Sequence, residues 1–273
     1  MGELADHGIA LVRAGNPGPL TLSGTNTWLV GRERPWIVDP GPALDAHLDA
    51  VAAAVAARGG PGGIALTHGH ADHAGGLEGL IDRLGGDVPV LAGGEPAPAG
   101  DRSDGPAGDR SDGPAGDRSG SPAGDRGRPP ASERGGPFDV LPLPGHADDH
   151  VVLVAGAAAF TGDAVLGEGS VFVQSRLAEY LDGLRRLRAL GLALLCPGHG
   201  PPVWDVRTTL DRYLEHRLER ERRLLAALER GLSGEDELLD EVWADAPPAL
   251  RPVAAITLRA HLEKLREDGA IER

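Results

Sequence analysis

Thr67-His68-Gly69-His70-Ala71-Asp72-His73 is the stretch on which the reading of this chain turns. Three imidazoles and one carboxylate fall within six residues, although the 273-residue chain holds only 10 histidines. The stretch follows Ile64-Ala65-Leu66, an apolar run that reads as a strand end. In extended backbone, side chains two residues apart project to one side, so His68 and His70 face together. A helix beginning near Asp72 and His73 would turn the chain and aim that pair at the same space. Imidazole nitrogen and carboxylate oxygen are borderline-to-hard ligands suited to zinc, iron or manganese. The competing reading is a polar loop that is merely histidine-rich.

Three pieces downstream bear on that choice. Pro144-Gly145-His146 precedes the apolar run Val151-Val152-Leu153-Val154. Phe160-Thr161-Gly162-Asp163 closes that β region, and Leu194-Leu195-Cys196-Pro197-Gly198-His199-Gly200 reads as another strand running into a Gly-Pro loop. His-x-His-x-Asp-His after a strand, followed by these pieces in this order, resembles the metallo-β-lactamase fold superfamily over most of residues 20–205. The resemblance implies an α+β fold, a four-layer αβ/βα sandwich with the ligands at one sheet edge. It also implies two divalent metal ions, zinc first with manganese or iron as alternatives. His68, His70 and His146 would hold one ion, and Asp72, His73 and His199 the other, with Asp163 bridging. Seven ligands exceed what one catalytic zinc takes, three plus water. A metal pair acidifies water for attack on carbonyl carbon or phosphorus. In that chemistry Asp72 and Asp163 are the catalytic candidates, Asp72 by orienting the attacking water and Asp163 by placing the pair. Asp163, where zinc β-lactamases mostly carry Cys or Ser, resembles glyoxalase II, lactonases and metallo-RNases instead. Ala147 and Leu143 stand where many relatives have threonine, which removes two hydroxyls from the surroundings of His146.

Composition narrows the partners. The net charge of −14 argues against a general nucleic-acid or anionic-membrane surface. Cys196 is the only cysteine, so no internal disulfide forms and a reducing, cytoplasmic setting is expected. No apolar run approaches the ~20 residues of a membrane helix, and no signal peptide is apparent at Met1-Gly2-Glu3-Leu4-Ala5-Asp6. Aromatics make up 3%, so the core is expected to be Leu, Val and Ala.

In chain order, strands are expected at 9–13, 25–31 and 36–39, close enough for an antiparallel meander. Asp39 ends the third strand, and the resemblance makes it a hydrogen-bonding support for a ligand; a turn-forming Asp before Pro40 is the alternative. A helix over 45–58 would bury Leu44, Leu48, Val51 and Val55. Another carries Leu77, Leu80, Ile81 and Leu84, and a strand follows at 88–91. After Asp163 a glycine-rich loop, 164–173, would shape the substrate entrance. Leu177, Leu181, Leu184, Leu187 and Leu190 mark a further helix. His150 is either substrate-facing or a loop support, and Cys196 is a buried strand residue. His7, His47 and His261 are surface or packing residues.

Residues 100–131 are octads, Gly-Asp-Arg-Ser-Asp-Gly-Pro-Ala from Gly100 and again from Gly108, then two degraded copies. They carry no apolar side chain larger than Ala or Pro, so they cannot offset the entropy of ordering. A disordered surface insertion is expected; a lid or partner-binding segment is the alternative. Deleting 100–131 should leave melting temperature and turnover nearly unchanged. Turnover lost at constant melting temperature would make the segment a lid.

The catalytic domain is expected to span 1–205 and a second domain 206–273. The latter reads as a helix over 208–230 with Leu214, Leu218, Leu224, Leu225 and Leu228 as its stripe. A second helix is capped by Ser233, and a third covers 252–268, followed by a turn and a short strand at Ala270-Ile271. This order resembles a winged-helix module, and His216-Arg217-Leu218-Glu219-Arg220-Glu221 is similar to a segment of the superfamily's winged-helix subgroup. That subgroup includes endoribonucleases and carrier-protein thioesterases. Between Arg251 and Arg273 five basic residues meet four acids, which is no basic stripe. Packing or dimerisation, giving a homodimer, is therefore favoured over nucleic-acid reading. The expected activity is hydrolysis of a small-molecule ester, thioester or lactone; RNA cleavage and non-catalytic metal-stabilised binding are the other classes.

Overall fold

Three short strands in quick succession can pair only as neighbours. β1 (Ile9–Arg13), β2 (Asn26–Val30) and β3 (Trp36–Val38) do so, antiparallel. From β3 the sheet continues in parallel through β4 (Gly63–Ala65) to β5 (Val90–Ala92), then antiparallel to β6 (Glu95–Pro96). A parallel pair needs a crossover, which α1 (Asp45–Ala56) supplies for β3–β4. The turn α2 (Ala71–Ala74) and helix α3 (Leu77–Leu84) supply it for β4–β5. The second sheet runs β11-β10-β9-β8-β7. Its strands are β7 (Arg134–Gly135), β8 (Phe138–Pro142), β9 (Val151–Ala155), β10 (Ala158–Gly162) and β11 (Leu194–Pro197), with α4 (Leu177–Ala189) between the last two. The computed structural model describes residues 3–92, 95–96 and 134–272, so the expectation for 100–131 lies outside the described residues.

Strand alternation builds the layers. On β2 to β4, Leu29, Ile37 and Ile64 turn outward onto α1 and α3, while Trp28, Val38 and Ala65 turn inward toward the other sheet. On β9 to β11, Val152, Ala159 and Leu195 face α4, while Leu153, Phe160 and Cys196 face inward. The result is the expected αβ/βα sandwich, with Cys196 buried between the sheets. That middle layer is more aromatic than the composition suggests. Trp28, Phe160, Phe138 and Trp36 form a chain of edge-to-face contacts with centroids 5.8–6.3 Å apart. Each such pair contributes about 0.5–1.5 kcal/mol beyond area burial. Few aromatics are present, and they are concentrated where two sheets must fill the gap between them.

Other expectations shift. Leu44 precedes α1 and is 40% exposed, so the buried face is His47, Leu48, Val51 and Val55. α5 (Val206–Glu229) buries Leu210, Tyr213, Arg217, Arg220, Leu224 and Ala227; Leu214, Leu218, Leu225 and Leu228 are only half-buried. Two arginines occupy the core line because their guanidinium groups find carbonyl acceptors at Val171 and Val242. α6 (Glu235–Val242) is capped at Gly234, whose N–H donates to Glu237 at 3.1 Å, not at Ser233. After α7 (Arg251–Glu267) no strand forms at Ala270-Ile271. Gly269 (φ +70°) and Ala270 instead close the helix end, donating to Arg266 and Leu265 carbonyls at 3.1 and 2.8 Å. α5, α6 and α7 enclose their own small core around Leu224, Leu239, Trp243 and Leu258. Among the described residues no helix is long and apolar enough to cross a membrane.

Candidate metal centre

All seven predicted ligands lie at one edge of the sandwich, at or just beyond strand ends. The loop after β4 carries His68 and His70, α2 carries Asp72 and His73, and the loop before β9 carries His146. Asp163 follows β10 and His199 follows β11. Their ligand atoms fall into three groups, each within 4.8 Å: His68, His70 and His146; His68, His73 and Asp163; Asp72, His73 and His199. Asp163 lies between the two outer groups. One of its oxygens is 3.4 Å from both His73 Nε2 and His199 Nε2, and the other is 3.5 Å from His146 Nε2.

The outward nitrogens of His68, His73, His146 and His199 are anchored, and this orients the inward ones. Asp39, buried behind the cluster, accepts Thr67 N–H and the Thr67 hydroxyl, each at 2.8 Å, and His73 Nδ1–H at 2.9 Å. Since the Thr67 hydroxyl proton goes to Asp39, its oxygen accepts from His68 Nδ1–H at 3.0 Å. One carboxylate thereby fixes which nitrogen of each of two histidines faces outward, leaving both Nε2 atoms pointing into the site. His199 Nδ1–H donates to Gly24 O and His146 Nδ1–H to Phe172 O, both at 3.4 Å. Around His146, where threonine hydroxyls are missing, Gln174 donates to the His146 carbonyl at 2.5 Å.

The inward atoms fit a cation. His68 Nε2 is buried with no partner. His146 Nε2 lies 3.0 Å from His70 Nδ1, and His73 Nε2 lies 3.3 Å from His199 Nε2. Nitrogens that turn lone pairs toward one another repel unless a proton or metal cation sits between them, and carboxylates from Asp72 and Asp163 stand beside them. Burial would raise the Asp163 carboxyl, but His73 and His199 hold it well below the usual carboxylate range. Burial pushes His146 down to about 4, so it is neutral with its lone pair free.

Glycines let the backbone pass close to the centre. A Cβ on Gly162 would sit 2.4 Å from Thr67 Oγ1, and one on Gly198 would sit 2.5 Å from His73 Cε1. Of the two roles the sequence leaves open for His150, the structure favours support, and it adds a supporting residue the sequence does not single out. His150 is buried, its ring 4.9 Å from that of His68, and its Nε2 accepts Asp163 N–H at 3.1 Å. It is a support for Asp163, not a substrate-facing group. Asp149 accepts Gly69 N–H at 2.9 Å and holds the turn between His68 and His70. A hollow of about 600 Å³ outside His150 is lined by the Arg176–Glu179 and Arg185–Asp182 pairs and by none of the seven ligands. The hollow that opens on His146 and Asp163 is another, of about 440 Å³, between the 166–172 loop and the C-terminal helices.

A sequence model of the Metallo-beta-lactamase superfamily matches residues 20–199, and one of the Beta-lactamase associated winged helix domain matches residues 235–273. The chain is 30% identical over 278 residues to the Beta-lactamase-like protein 2 homolog of Caenorhabditis elegans, covering 99% of this chain and 88% of that protein. It is 33% identical over 224 residues to an atrochrysone carboxyl ACP thioesterase of Aspergillus chevalieri, covering 81% of this chain and 66% of that one. Among solved structures, a metallo-beta-lactamase family protein of Thermus thermophilus superposes with TM-score 0.65 at 25% identity, covering 97% and 95% of the two chains. A beta-lactamase domain protein of Burkholderia ambifaria gives TM-score 0.71 at 21% identity, covering 98% and 88%.

Proposed function

Since the chain belongs to the metallo-β-lactamase superfamily, a hydrolase family, we propose that it cleaves a small ester, thioester or lactone with the help of two divalent metal ions. His68, His70 and His146 would hold one ion and Asp72, His73 and His199 the other, with Asp163 shared. The observation that carries this is the inward-facing set of anchored imidazoles, including the unpartnered buried His68 Nε2. When bound, such ions supply Lewis acidity that polarises a carbonyl and acidifies water. The chain's own residues do the rest. Asp39 and the carbonyls of Gly24 and Phe172 keep the imidazoles in the ligating tautomer. Asp72, 30% exposed at its side chain, stands at the open rim, where it can accept a hydrogen bond from water and orient it. A relative named as an acyl-carrier thioesterase supports thioesters within this class.

Charge pairing favours this reading over cleavage of single-stranded RNA. Phosphate binding draws on free cations, yet Arg230, Arg251, Arg259 and Lys264 each meet a carboxylate within 3.1 Å. Turnover of a panel of thioesters, lactones and RNA by metal-loaded protein separates the two. Cleavage of RNA alone would overturn the proposal.

Metal content is the second check. Protein loaded with excess zinc or manganese and desalted should carry about two ions per chain, the number expected when seven ligands exceed the three of a single catalytic zinc. A reproducible value near zero would remove the basis of the mechanism.

A further inference from the structure

The C-terminal helices are more than an appendage, because they form one wall of the hollow that opens on His146 and Asp163. Its volume, about 440 Å³, lies within the range of small-molecule sites. On the catalytic side the wall is Leu22, Leu166 and Phe172; on the C-terminal side it is Trp243, Leu250 and Val253. The two sides are tied together at three places. Tyr213 OH accepts Leu166 N–H at 2.9 Å, Thr257 Oγ1 accepts Val173 N–H at 3.1 Å, and Arg217 donates to Val171 O. The slot is therefore shaped before any ligand enters it.

Its arginines are already engaged. Arg217 donates to Ser170 Oγ as well as to Val171 O, and Arg220 is held by Val242 O and by Asp245 at 2.6 Å. Arg220 Nε also donates to His216 Nε2 at 3.3 Å, which leaves that ring neutral. The slot thus offers apolar surface next to the reacting centre and no free cation for a phosphate. We infer that the C-terminal helices are the acyl-recognition wall of the active site: the slot takes the apolar acyl or ring portion of a neutral carbonyl substrate, and Val253 sets how large that portion is. This rests on the hydrolase reading above and gives the C-terminal domain a role in substrate selection rather than nucleic-acid reading.

The test uses full-length, metal-loaded enzyme with N-acetylcysteamine thioesters of acetyl, butanoyl and hexanoyl groups. Hydrolytically inert ketone analogues, with methylene in place of sulfur, give binding constants by calorimetry. Wild type should gain roughly fourfold in kcat/KM and in affinity per added methylene, the ratio expected for burying a CH2 group. Val253→Trp should lower hexanoyl kcat/KM by about tenfold or more while acetyl changes by less than about twofold. Val253→Ala, which fills nothing, should keep the fold and move the optimum toward longer chains. Equal binding of acetyl and hexanoyl analogues by wild type, or equal losses for both in Val253→Trp, would overturn the inference. Length-dependent binding of the analogues without turnover of any carbonyl substrate would leave the slot standing and overturn the hydrolase reading instead.

Discussion

Asp163→Ala should lower turnover by roughly a thousandfold or more, above the 10–100-fold that follows loss of an outer support for a metal ligand. Its two oxygens stand between the histidine groups, 3.4 Å from His73 and His199 and 3.5 Å from His146. Alanine would remove a negative charge that would offset bound cations and a carboxylate placed where two ions could share it. Metal content measured on the same samples should fall below that of wild type. Cys196→Ala is the matched control, also at a strand end and buried, but facing the gap between the sheets. Burial lifts its thiol well above the usual range, so it is no nucleophile. Its replacement should cost about 1 kcal/mol of stability and little activity. Asp163→Ala with both ions and near-normal turnover would refute the shared-ligand assignment. A folded Cys196→Ala without turnover would point to a covalent mechanism.

Asp39→Asn should reduce metal affinity and turnover by about 10–100-fold with little change in fold. Asparagine tolerates the left-handed backbone that Asp39 adopts, φ +53°. Its carboxamide can still accept Thr67 N–H, but the other oxygen becomes an NH2 group. That oxygen now accepts both His73 Nδ1–H and the Thr67 hydroxyl proton. An NH2 donates instead, which drives the His73 proton to Nε2 and blocks the lone pair that faces the site. Titration with zinc should show the site containing His73 filling at higher concentration than in wild type. Unchanged affinity and rate would mean that tautomer control lies elsewhere, and His150→Ala, which frees Asp163 N–H, would be the next variant to measure.

Much of this was written locally. The strands and the crossover helices follow from hydrophobic period and Gly-Pro punctuation, which act within a few residues, while the set of seven candidate ligands comes from the resemblance of their order to a known family. A pattern such as His68-x-His70 states its own geometry, because strand alternation puts both rings on one side. Tertiary structure decided what depends on a partner distant in sequence. Arg217 and Arg220 lie outside the leucine stripe expected for that helix, yet they are in the core because carbonyls at Val171 and Val242 accept their hydrogen bonds. His150 reads as either substrate-facing or a loop support, and only folding, which brought the Asp163 amide to its ring, decided between them. The aromatic seam of Trp28, Phe160, Phe138 and Trp36 exists only once two sheets face each other. The strand expected at Ala270-Ile271 gave way to a glycine cap that consumed its amide protons. Burial and hydrogen-bond partnership are properties of pairs, and the sequence by itself specifies only one member of each pair at a time.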